Sequence, residues 1–225
     1  MIEGPRLVGV ALDHGIALPA LLVSDAALAR PAIAALVRRS GRAPTVLAER
    51  VFAAVMDSET PQGIAAEIAI PVRTPDLAHA DGCVFLDAVQ DAGNVGAILR
   101  SAAAFGIPAV VLGPGCADPW APKVLRAAMG AHFALALAQS ADLAAAMTTF
   151  GGTIACARPR GGTPLRAADL PPRIGWLFGA EGRGVHEALA ARADLGVTIP
   201  IRPGSESLNV AAAAAICFYE AAMRQ

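Results

Sequence analysis

Residues 83–107, CVFLDAVQDAGNVGAILRSAAAFGI, carry the pattern on which the fold turns. The run CVFLDAV (83–89) is almost wholly apolar, as a strand buried on both faces must be, and a short polar step then leads into apolar residues at helical spacing. The same unit recurs downstream. Candidate strands AVVLG (109–113), TIACA (153–157), IGWLFG (174–179) and GVTIP (196–200) alternate with helical NVGAILRSAAAFG, PKVLRAAMGAHF, DLAAAMTTFG and VHEALAARA. A last helix is expected over 207–224, opened by Ser207 as a plausible N-cap. Apolar strands separated by helices predict an α/β domain whose parallel sheet is covered on both faces.

Upstream, ALLVSD (20–25), PTVLAE (44–49) and GIAAEIAIP (63–71) read as strands, with helical ALARPAIAALVRRSG and RVFAAVMDS between them. Two prolines and several polar residues interrupt both periodicities over 71–81, which predicts a linker. The chain thus divides into a small α/β domain, residues 1–75, and a larger one, residues 76–225.

Composition agrees with two folded domains and excludes several classes. Of 225 residues, 55% are hydrophobic and 16% charged, with a mean hydropathy of +0.52, far too apolar for a disordered chain. The longest apolar run, 210–219, falls short of the roughly 20 residues that span a bilayer. The start, MIEGPRLV, has no basic segment followed by an apolar stretch, and Cys83, Cys116, Cys156 and Cys217 form no CxxC pair. Reduced thiols in a cytoplasmic protein, with no membrane partner, are expected. The net charge of −1 shows no global basic field, although 17 of the 18 basic residues are arginine and Lys123 is the only lysine.

In a parallel sheet, ligands collect at the carboxyl ends of the strands, so polar residues just after each strand carry the most information. Three junctions stand out. The first holds Asn94 near a helix start, where it serves either as a cap or in a site, and Arg100 six residues on among apolar Ile98, Leu99, Ala102 and Ala103. The second, LFGAEGRGV (177–185), sets Glu181 among Gly179, Gly182 and Gly184, and reads either as a ligand loop or as a plain turn into a helix. The third, IPIRPGSESLNV (199–210), crowds Glu206, Ser207 and Asn209 around a helix start that needs only one cap.

Familiar chemistries are missing. No GxxxxGK[ST] phosphate loop, HExxH, paired-cysteine zinc site or GxSxG elbow occurs, and GxxGxG is not the dinucleotide spacing GxGxxG. His14, His79, His132 and His186 are far apart without companion ligands, so no metal site is expected.

Taken in order, LDAVQDAGNVGAILRSAAAFGI, WLFGAEGRGV and VTIPIRPGSESLNVAAAAAICFYEA resemble the three motifs of the SpoU-type, or TrmH-like, RNA ribose 2'-O-methyltransferases of the SPOUT superfamily, a likeness covering 81–225. The resemblance implies a deep trefoil knot, S-adenosylmethionine as methyl donor, and a homodimer in which each site is completed by the partner. It also implies roles. Arg100 matches the arginine at the reacting ribose, Asn94 the first-motif asparagine, Glu181 the second-motif glutamate, and Ser207 and Asn209 the polar pair of the third motif. Leu177, Phe178, Gly179, Gly182, Ile199, Pro200, Ile201, Ser207 and Leu208 fall in the loops that would hold the cofactor, largely through backbone groups. Where the family more often has Asn-Glu this chain has Ala180-Glu181, one amide fewer. Residues before about 75 look like the small RNA-binding domain, similar to certain ribosomal proteins, that many members carry, and QGI (62–64) fits its pattern.

Arg100 would act either as the base for the 2'-hydroxyl or as a charged group beside the developing alkoxide or the adjacent phosphate. A guanidinium with a pKa above roughly 12 is a poor proton acceptor, which favours the second role. A ribose acceptor makes RNA the substrate. The N-terminal domain, in which Arg38, Arg39 and Arg42 are the densest basic cluster, favours ribosomal over transfer RNA. A non-catalytic RNA-binding protein and a nucleotide-dependent oxidoreductase or transferase are the competing readings.

Overall fold

The structure, a computed structural model, describes residues 1–204 and 206–224 and separates into two compact units, Met1–Pro71 and Val72–Gln225. The first is built from β1 (Ile2–Glu3), α1 (Pro5–Asp13), β2 (Leu21–Ser24), α2 (Asp25–Leu28), α3 (Pro31–Ser40), β3 (Thr45–Leu47), α4 (Glu49–Val55) and β4 (Ile64–Ala66). Its four strands lie in the order β1-β4-β2-β3, with β4 antiparallel to both neighbours and β2 parallel to β3. Two elements escaped the sequence reading: β1, too short to show a period, and α1, which follows it. The helix expected across 27–41 is two helices, α2 and α3. Pro31 forces the residue before it out of helical geometry, and Arg30 is accordingly extended at φ −76° and ψ 125°.

The second unit contains β5 (Gly82–Asp87), α5 (Ala92–Ala104), β6 (Ala109–Leu112), α6 (Pro122–Ala128), β7 (Ala136–Gln139), α7 (Leu143–Thr149), β8 (Thr153–Ala157), β9 (Thr163–Pro164), β10 (Ile174–Gly179), α8 (Glu187–Ala190), β11 (Leu195–Thr198) and α9 (Val210–Ala222). All seven strands are parallel, in the order β7-β6-β5-β10-β8-β11-β9. Side chains leave alternate faces. Val84, Leu86, Trp176 and Phe178 pack with α5, α6 and α9 residues such as Ile98, Val124 and Phe218, while Cys83, Phe85 and Leu177 join Leu143, Met147 and Phe150 opposite. The expected parallel sheet with both faces covered is therefore present. Short β7 and β9 were not anticipated.

Close packing is written into one residue of the opening motif. A Cβ at Gly96 would lie 2.5 Å from the Ala127 Cβ and 2.8 Å from the Val124 carbonyl oxygen, so a larger side chain would push α5 from α6.

Two helix starts differ from expectation. Asp91, not Asn94, caps α5: its Oδ1 accepts the Asn94 backbone N–H at 2.8 Å. Asn209, not Ser207, caps α9, which begins at Val210 instead of 207. An asparagine in extended geometry can turn its side-chain oxygen onto two N–H groups at once, and the Asn209 Oδ1 accepts from Ala211 and Ala212 at 2.9 and 3.2 Å.

The four cysteines are free thiols, with Cys83, Cys156 and Cys217 buried. Burial pushes the Cys217 thiol up to about 12, so it stays protonated and inert at neutral pH. Among the described residues, no helix is long and apolar enough to cross a membrane.

Candidate functional site

Strand order decides where the site forms. From β5 the chain moves outward through β6 and β7, then crosses to the opposite side, where β10 returns to lie directly beside β5. The carboxyl ends of β5 and β10 flank a point where the connections diverge, the place where open α/β sheets leave a crevice for ligands.

There the three motifs meet through a directed chain of hydrogen bonds. Because the Asn209 Oδ1 is committed to capping α9, its Nδ2 faces outward and donates to Asn94 Oδ1 at 2.9 Å. Asn94 Nδ2 in turn donates to Glu181 Oε1 at 2.6 Å. The polarity of the whole relay follows from one helix cap. Residues separated by 87 and 115 positions are thereby joined, and the Glu181 carboxylate, itself exposed, is held in place with its other oxygen open to a ligand.

The loop after β10 is equally constrained. A Cβ on Gly179 would lie 2.2 Å from both the Gly184 carbonyl carbon and the Val185 nitrogen, a crossing that only glycine permits. The Gly184 N–H donates to the Ala180 carbonyl at 2.8 Å, closing a tight turn around Glu181, with Gly182 at its tip. Asp87, buried at the end of β5, accepts the His186 N–H at 2.7 Å and ties the far side of this loop to the first motif. The ladder between β10 and β8 stops at Leu177↔Cys156, whereas that to β5 runs on to Gly179↔Asp87. The backbone of Phe178 and Gly179 is thus paired on one side only.

Of the predicted site residues, Asn94, Glu181 and Asn209 come together. Arg100 lies two turns further along α5, exposed, and makes no hydrogen bond or ion pair among the described residues. Ser207 is exposed in the segment before α9 and does not join the relay. Leu177 and Phe178 bury their side chains in opposite layers of the core, which leaves only their backbone for a ligand. Ile199, Pro200 and Ile201 follow β11, and Leu208 is exposed next to the α9 cap.

Sequence reasoning missed Asp91 and the Asp87–His186 link. Each had a signal: an aspartate three residues before Asn94 has N-cap spacing, and Asp87 is the one charge in an otherwise apolar strand. Asp91 also faces Lys123 Nζ at 3.6 Å, and its carboxyl sits below the usual range, chiefly because it accepts the Asn94 N–H and also because of that cation.

The fold and site define a parallel α/β domain whose polar loops converge at its switch point. The chain belongs to the SpoU rRNA methylase family, whose model matches residues 82–219, and residues 1–66 match an MRM3-like substrate binding domain. Over 225 residues it is 36% identical to the 23S rRNA (guanosine(2553)-2'-O)-methyltransferase RlmP of Bacillus subtilis, covering 97% of this chain and 86% of that protein. Among solved structures it is similar to an AdoMet-bound rRNA methyltransferase from Sinorhizobium meliloti, with 28% identity, a TM-score of 0.81 and coverage of 99% and 86% of the two chains. It is also similar to the SpoU methyltransferase AviRb from Streptomyces viridochromogenes in complex with AdoMet, with 25% identity, a TM-score of 0.86 and coverage of 99% and 89%.

Proposed function

We propose that this chain transfers a methyl group from S-adenosylmethionine to a ribose 2'-hydroxyl of ribosomal RNA. The observation that carries the reading is the Asn209–Asn94–Glu181 relay, which unites the three motifs in a chain related along nearly its whole length to an rRNA 2'-O-methyltransferase.

The residues present suit that cofactor. Half-paired backbone at Phe178 and Gly179, the glycine crossing, and apolar Ile199, Ile201 and Leu208 offer N–H and C=O groups beside apolar surface, as an uncharged adenosine requires. We assign Leu177, Phe178, Gly179, Gly182, Ile199, Pro200, Ile201, Ser207 and Leu208 to its binding. When bound, the cofactor supplies an electrophilic methyl on a sulfonium sulfur.

This chain's own residues hold the acceptor. The relay fixes Glu181 at the crevice mouth, where its open oxygen accepts a hydrogen bond from the substrate nucleotide. The Arg100 guanidinium stabilises the ribose oxygen as it bonds to the methyl carbon, the carbon–sulfur bond breaks and the hydroxyl proton passes to solvent water, or it grips the neighbouring phosphate. In-line placement of the two reacting atoms supplies much of the remaining acceleration. Ser207 contributes a hydroxyl at the rim.

Residues 1–75 are assigned to gripping RNA and 76–225 to the chemistry. In the first unit the expected basic cluster is thinned, because Arg39 pairs with Asp13, while Arg38 and Arg42 remain exposed. Likeness of this unit to RNA-binding ribosomal proteins belongs to the same reading. Insertion of β10 between β5 and β8 supports the trefoil knot of the family fold. A homodimer is supported by α9, where Ala212, Ile216, Tyr219 and Met223 recur at helical spacing on the exposed side, Tyr219 and Met223 being 53% and 63% exposed. A cytoplasmic location accords with an rRNA substrate.

The test is transfer of labelled methyl from S-adenosylmethionine to unmodified 23S rRNA and, separately, to unmodified tRNA. The expected product is rRNA carrying one alkali-resistant ribose linkage. Label on a base, or on tRNA alone, would overturn the assignment.

A further inference from the structure

The loops that follow six of the parallel strands, all but the edge strand β9, are sharply divided by charge. Those after β5, β6 and β7, residues 88–91, 113–121 and 140–142, contain Asp91, Asp118 and Asp142 and not one arginine or lysine. Lys123, at the start of α6 beyond them, is paired with Asp91. Those after β8, β10 and β11, residues 158–162, 180–186 and 199–209, carry Arg158, Arg160, Arg183 and Arg202 against Glu181 and Glu206. Glu181 is already engaged by Asn94.

These three strands are neighbours in the sheet, in the order β10-β8-β11, and point the same way. Adjacent strands lie roughly 4.8 Å apart, so the loops emerge within about 10 Å of one another along one edge. Arg158 spends a guanidinium N–H on the Ala190 carbonyl at 3.3 Å. Arg160, Arg183 and Arg202 are exposed and have no hydrogen-bond or ion-pair partner among the described residues. Three exposed arginines on loops from adjacent strands, rather than converging side chains of one loop, suit successive anions on a strand and not one small anion.

We infer that Arg160, Arg183 and Arg202 form a phosphate-binding rim that tracks the RNA backbone flanking the target ribose. This rests on the proposal that RNA is the substrate, and it names the residues and the chemical group by which this edge recognises it. The neutral balance of the chain hides the rim, because the acidic loops of the other half of the sheet cancel it.

The test uses the full chain and an unmodified 23S rRNA transcript, with binding measured across a salt series for the wild type and for R160Q/R183Q/R202Q. For single-stranded contacts each lost phosphate should reduce the slope of log affinity against log salt by about 0.7, or about 2 for three, with a loss on the order of 100-fold at 0.1 M salt. S-adenosylmethionine affinity, measured by calorimetry, and the melting temperature should stay at wild-type values. A triple variant with wild-type affinity and slope, beside a wild type that binds and methylates the transcript, overturns the rim and leaves the methyltransferase reading intact. A wild type that neither binds nor methylates the transcript overturns both. Loss of RNA affinity together with loss of cofactor binding and a lowered melting temperature would show damage to the fold and would also overturn the rim.

Discussion

The seven-stranded sheet has two ends made by the same strands, and they differ in chemistry. At the amino end, Asp81, Gly82, Ile107, Ile174, Trp176 and Phe218 line a cavity of about 70 Å³. Trp176 is fully buried, and its Nε1 has no hydrogen-bond partner. At the carboxyl end, Asp91, Asn94, Glu181 and Asn209 are linked by hydrogen bonds, each of the three asparagine and glutamate side chains is oriented by another, and Asp87 separately accepts the His186 N–H. Strand direction sorts the residues: every loop leaving a carboxyl end gathers on one side, and that is where polar side chains can be shared between motifs distant in sequence. The amino end receives returning helices and is used for packing.

The sharpest way to break this contrast is Arg100→Ala. If Arg100 serves the reacting ribose, methyl transfer should fall by roughly 100- to 1,000-fold while calorimetric cofactor affinity is retained. Near wild-type turnover would remove the carboxyl end's claim to the chemistry. A fall in melting temperature and cofactor binding together would mark Arg100 as a packing residue instead.

Next in size is Gly179→Ala. The new methyl would meet the Gly184–Val185 backbone at 2.2 Å, so the loop must move. Overpacking of this kind costs about 1–3 kcal/mol, and S-adenosylmethionine affinity should drop by roughly tenfold or more. Unchanged affinity would remove the second-motif loop from the cofactor site.

Asp91→Ala tests the support beneath the relay. Loss of an N-cap costs roughly 1 kcal/mol, read as a lower melting temperature at pH 7. The sign of the pH dependence follows from the depressed pKa of Asp91: its contribution is present above the ordinary carboxylate value of 3.8 and is lost as pH falls through the lower folded-state value. Wild type and variant should therefore converge in stability in strong acid, and a gap that persists there would contradict the assignment.

Trp176→Phe, at the opposite end, should have the smallest effect on function. It removes a buried donor that has no partner, offsetting part of the lost packing, so stability should change by no more than about 1–2 kcal/mol. kcat and KM should not move. A change in either would show that the amino end is coupled to catalysis.

Much of this was legible in the chain. The largely apolar runs at 83–89 and 174–179 gave strands of the right type, because burial on both faces leaves little place for polar residues, and Asn94, Glu181 and Asn209 stood out because they lie at the junctions that follow the strands. Short elements were not legible. β7 and β9 are held by neighbours' backbone hydrogen bonds, and a strand of two or four residues has no period to detect. The caps were misjudged because both helix starts offer several capable side chains, and the one that caps is the one whose backbone turns extended at the right position.

By itself the sequence determined the two α/β units, the parallel sheet, the three polar junctions and the family they resemble, since local pattern and burial dictate these. Only the tertiary structure decided that the junctions meet. Strand order, a long-range property, places β10 against β5 and brings Asn94 to Glu181 across 87 residues and to Asn209 across 115. The same order sets the loops of β8, β10 and β11 side by side, concentrating arginines that the overall charge of −1 conceals. Charge and polarity are written residue by residue, but whether they add at one place depends on which strands are neighbours, and local pattern does not encode that.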